Sequence, residues 1–88
     1  MLITIEFLED FENISRGTKT SFDAEFNDSI ENLKVIISLK YHEIEVSSLN
    51  ILNKGKILKD QATLNSLNIQ QGVTLQARKR RVMGCNIF

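Results

Sequence analysis

Eighty-eight residues make one small domain with a modest core. Apolar content of 42% and charged content of 25% are ordinary for a globular chain, and a net charge of zero gives no global attraction to DNA or an anionic membrane. A single cysteine excludes an internal disulfide and suits a reducing compartment.

The first element is a strand. Met1, Ile3, Ile5 and Phe7 alternate with Leu2, Thr4 and Glu6, the period of two of a strand with one buried face. Glu9 to Gly17 follows as a loop rich in turn formers (Asp10, Asn13, Ser15, Gly17), in which Phe11 and Ile14 need cover. Thr20, Phe22, Ala24 and Phe26 alternate on a second strand, antiparallel to the first. Asp28 or Ser29 caps a helix, with Asp28 and Glu31 at capping-box spacing. Ile30, Leu33 and Ile37 form its apolar face, and it ends near Tyr41 or His42.

Leu49 to Leu52 is a short apolar strand, Asn53-Lys54-Gly55 a turn, and Lys56 to Leu58 a brief return strand. Leu64, Leu67 and Ile69 mark a short helical or irregular passage. Val73, Leu75 and Ala77 alternate inward on a last strand. One helix over one face of such a sheet is a two-layer α+β domain in ββαβββ order. Residues 1–79 form this domain, and 80–88 are a basic, flexible tail.

Several chemistries find no support. His42 has no Cys or His partner at metal spacing, so no metal site is expected. No nucleophile elbow or triad order appears, and Gly55 and Gly72 do not form a phosphate loop. No enzyme and no cofactor is expected. No run approaches the roughly 18 apolar residues of a spanning helix, and the acidic start lacks the basic n-region of a signal peptide.

Ser-Ile-Glu-Asn-Leu-Lys at 29–34, Gly-Lys-Ile-Leu-Lys-Asp at 55–60, Thr-Leu-Asn-Ser-Leu-Asn-Ile-Gln at 63–70 and Val-Thr-Leu-Gln at 73–76 together carry a family resemblance. The chain resembles ubiquitin and its relatives. The resemblance spans essentially residues 1–84 and implies a β-grasp fold, a mixed sheet whose first and last strands are central and parallel. The first loop is longer by about seven residues, an insertion that loop-closure entropy tolerates.

The resemblance also implies a monomer whose outer sheet face grips protein partners. It puts Leu52 at the centre of that face, as an exposed leucine rimmed by Asn50, Lys54, Gln76 and Arg78. Gln76 and Arg78 stand where ubiquitin has histidine and valine, and the acidic-aromatic loop stands where it has leucine. Lys56 matches a lysine used for chain linkage and Lys34 another on the helix; both are expected to be solvated lysines.

The tail carries two readings. Glu6, Glu9, Asp10 and Glu12 crowd one end of the sequence, and Arg78, Lys79, Arg80 and Arg81 form a basic block near the other. Beyond it, Cys85-Asn86-Ile87-Phe88 fits the C-a-a-X pattern of prenylation, with Phe88 favouring geranylgeranyl. One lipid chain holds a membrane only marginally, and each adjacent Lys or Arg adds about 1 kcal/mol on an anionic leaflet. The layout is similar to that of membrane-anchored ubiquitin-fold proteins, without their longer linker. It implies a prenyltransferase, an anionic membrane and the cytosolic face of that membrane in a eukaryotic cell.

The second reading takes Gly84, in the register of ubiquitin's terminal glycine, as a processing and conjugation point, with activating and conjugating enzymes as partners. Met83 occupies the place of the usual second glycine. A soluble adaptor is the third possibility. The basic block lacks the interleaved aromatics of an RNA-binding stripe, so RNA is not an expected partner.

Overall fold

The computed structural model describes residues 1–11, 13–42 and 44–80. In chain order the elements are β1 (Leu2–Phe7), β2 (Lys19–Asp23), α1 (Ile30–Lys40), a 3₁₀ turn (Val46–Ser48), β3 (Leu49–Asn53), β4 (Lys56–Ile57) and β5 (Thr74–Lys79). The strands form one sheet in the order β2-β1-β5-β3-β4, with β1 and β5 parallel and the other neighbours antiparallel. This is the β-grasp that the family resemblance implies, a mixed sheet with one covering helix.

Alternation decides which face of the sheet is buried. Ile3, Ile5 and Phe7 of β1, Leu49 and Ile51 of β3, and Leu75 and Ala77 of β5 all point to the helix side and are fully buried. From α1, Ile30, Leu33 and Ile37 meet them. Each such aliphatic side chain contributes about 1.5–3 kcal/mol by leaving water. Ser29, rather than Asp28, caps α1: its Oγ accepts from the Asn32 N–H at 3.1 Å. The Asp28 carboxylate instead accepts from the Glu25 N–H at 2.8 Å and tightens the turn before the helix.

Three expectations are corrected. Phe26 is 55% exposed, because β2 stops at Asp23 and Phe26 lies in the following turn, where alternation no longer sets its direction. Val73 precedes β5 and is half-buried rather than inward on the strand. Lys34 is not a solvated lysine. It is 4% exposed, and its Nζ reaches Asp60 Oδ1 at 2.6 Å, a pair that closes the helix against the segment after β4. The Asp60 carbonyl also accepts from the Glu31 N–H.

The long β1–β2 loop is folded onto the sheet. Phe11 and Ile14 pair as an isolated bridge, with N–H to O distances of 2.8 and 3.1 Å. The Phe11 ring meets Phe7 edge-on at 5.4 Å, and Phe7 meets Tyr41 at 5.5 Å. Gly17, at φ +90, turns the chain back and donates to the Phe7 carbonyl. Arg16 N–H donates to Asp10 Oδ1. The cover that Phe11 and Ile14 require therefore comes from the core itself.

Candidate protein-binding face

The candidate site is the sheet face away from α1, and strand register assembles it. Lys19 of β2 faces Glu6 of β1, Glu6 faces Gln76 of β5, Gln76 faces Leu52 of β3, and Leu52 faces Ile57 of β4. Directly paired residues share a face, so these five side chains form one row across the sheet. Arg78 and Asn50 pair in a neighbouring row, and both are half-buried. Lys54 and Lys56 are exposed on the β3–β4 hairpin.

Leu52 is not the exposed leucine expected at the centre of this face. It is 2% exposed and lies outside the core cluster. Its register partners explain the cover: Gln76 stands on one side and Ile57 on the other. The exposed aliphatic side chain of the row is Ile57, at 51%. The sequence carried a usable signal for this. A two-residue turn at Lys54-Gly55 fixes the register of the hairpin and puts Ile57 opposite Leu52.

Beside Leu52, Gln76 Oε1 is shielded from solvent and has no hydrogen-bond partner among the described residues. An acceptor buried in this state costs about 1–3 kcal/mol. The hairpin turn is also strained. Lys54 holds φ +54 and Gly55 φ +84, the paired left-handed conformation of a two-residue loop. A left-handed non-glycine residue costs roughly 1–2 kcal/mol, so lysine at 54 is a poor structural choice that presents a charge.

The basic block begins inside the fold. Lys79 is the last residue of β5; its N–H donates to Glu9 Oε2 at 3.1 Å, and its Nζ lies 5.6 Å over the Phe11 ring. Arg80 N–H donates to the Ser48 carbonyl at 2.8 Å. Arg81, Gly84 and Cys85 lie outside the described residues, and with them the processing and lipidation positions. Among the described residues no group of three or more His, Cys, Asp or Glu could hold a metal, and no helix is long and apolar enough to cross a membrane.

Residues 11–81 match the model of the ubiquitin family. The chain belongs to the ubiquitin family. The match begins after β1, inside the β1–β2 loop. Among solved structures the chain is similar to the UBL domain of Dsk2 from Plasmodium falciparum, with 23% identity, a TM-score of 0.72, and coverage of 90% of this chain and 96% of that one. That likeness shows the fold. No curated protein matches the sequence.

Proposed function

We propose that this chain is a non-enzymatic protein-interaction module. It presents the outer sheet face to a partner and is held on the cytosolic face of a membrane by prenylation of Cys85. The observation that carries the binding reading is the row Gln76–Leu52–Ile57, which joins an unpartnered acceptor, a covered leucine and an exposed isoleucine on one face of a family fold. A partner N–H that reached Gln76 would satisfy its acceptor, and an apolar group over Ile57 would take that side chain from water.

The tether rests on the residues after the fold. Cys85-Asn86-Ile87-Phe88 fits the C-a-a-X pattern with Ile87 in the aliphatic position, and the block from Arg78 to Arg81 supplies the second, electrostatic signal. Membrane fractionation of cells expressing the wild type and Cys85→Ser tests it. Loss of Cys85 is expected to move the protein from the membrane pellet to the soluble fraction; an unchanged distribution contradicts the anchor. Gly84 supports the second reading, because it aligns with ubiquitin's terminal glycine. In that case Gly84→Ala removes high-mass adducts from cell extracts and Cys85→Ser does not change fractionation.

A further inference from the structure

Next to β4 lies a groove of about 200 Å³ lined by Lys56, Ile57, Leu58, Lys59, Ala62 and Leu67. Its size is informative. Small-molecule sites run to about 300–1,000 Å³, so this groove suits an apolar side chain of a peptide better than a whole small ligand. Its position is informative too. β4 is the last strand of the sheet order, so its outer edge has no strand neighbour among the described residues.

The register shows what that edge offers. Asn53 and Lys56 close the two-residue turn, and the Leu58 N–H donates to the Ile51 carbonyl at 2.9 Å. Ile57 lies between these hydrogen-bonded positions. In an antiparallel ladder its own N–H and C=O then point away from β3, toward the open edge. A strand edge beside a side-chain groove is the arrangement by which sheets accept an extended peptide: backbone bonds give affinity and the groove gives specificity.

Charge selects the peptide. Lys54, Lys56 and Lys59 are all exposed, and none makes an ion pair with a described residue. The nearest acid in sequence, Asp60, is engaged by Lys34. The rim is therefore uncompensated and positive around an apolar floor.

We infer that the β4 edge binds an extended, acidic segment of a partner protein, with one apolar side chain seated between Ile57, Ala62 and Leu67. This deepens the interaction-module reading by naming the chemistry of a partner, and it adds an edge site beside the outer face. Binding is steered by charge and weakens as salt rises.

The test is a selection of random twelve-residue peptides against the full chain, followed by titration of the enriched peptides. Enrichment of acidic peptides with an apolar anchor is expected. Their affinity should fall at least tenfold with Lys56→Glu/Lys59→Glu and stay within twofold with Arg78→Glu. Both changes are at side chains without ion-pair partners among the described residues, so the fold should be retained, and circular dichroism checks that. Peptides that depend on Arg78 and ignore the lysines would overturn the edge site and leave the outer-face reading standing. Failure to enrich any peptide would overturn the edge inference alone, because a flat sheet face takes folded partners.

Discussion

The two ends of this sheet are treated in opposite ways. At the β1–β2 loop, extra residues are pinned down. Ile14 is buried, Phe11 meets Phe7 edge-on, and Glu9 and Phe11 hold Lys79 where β5 ends. At the β4 edge nothing is added: the strand is two residues long, Ile57 is half in water, and Lys56 and Lys59 line an open groove. The insertion is thus structural and secures the root of the basic tail, while the edge is left available. Substitutions at the pinned end should cost stability, and substitutions at the open edge should cost binding.

The largest effect is expected at the pinned end. Ile14→Ala should lower unfolding free energy by about 2–4 kcal/mol in urea titration, as for other buried aliphatic truncations. Peptide binding at the β4 edge should be unchanged in the folded protein. A loss below about 0.5 kcal/mol would mean that the loop is not part of the core and would erase the contrast.

Asp60 sits between the two regions. Asp60→Ala leaves the Lys34 ammonium buried without its partner and should cost about 2 kcal/mol, a figure reduced for the partial exposure of Asp60. Lys34→Met removes the charge and keeps the shape, so it should be nearly neutral. Equal losses in the two variants, read by thermal unfolding, would show that the ion pair itself matters more than the stranded charge.

The remaining changes sharpen the other side. Gln76→Leu should raise stability by about 1 kcal/mol, since it removes an unpartnered buried acceptor. If partner binding falls in the same variant, Gln76 is kept for function. Lys54→Gly should raise stability by about 0.5 kcal/mol through relief at φ +54, and weaken acidic peptides modestly. Ile57→Ser should change stability by less than about 0.5 kcal/mol, yet weaken edge binding tenfold in titration.

The legibility of these features follows physical lines. The strands β1, β3 and β5 could be read because one face of each is dry, which forces alternation. The helix face could be read for the same reason. The parallel pairing of β1 with β5 came only from the family resemblance, since periodicity does not say which strands meet. Leu52 was misjudged because its exposure depends on cross-strand neighbours. Lys34 was misjudged because its acid is 26 residues away. Phe26 continued an alternation that the chain had already left. Lys34 turns on a distant partner and Phe26 on an element boundary, which local spacing does not encode, whereas the Ile57 side of Leu52 follows from the two-residue turn at Lys54-Gly55.

The root of the tail at Lys79 and the open edge at Ile57 make sense together if the domain is tethered at one place and engages partners at another. Intact mass of the protein purified from its own cells tests this most directly. The account predicts loss of the last three residues and gain of a geranylgeranyl group on Cys85. A chain ending at Gly84, or an unmodified chain of 88 residues, would contradict it.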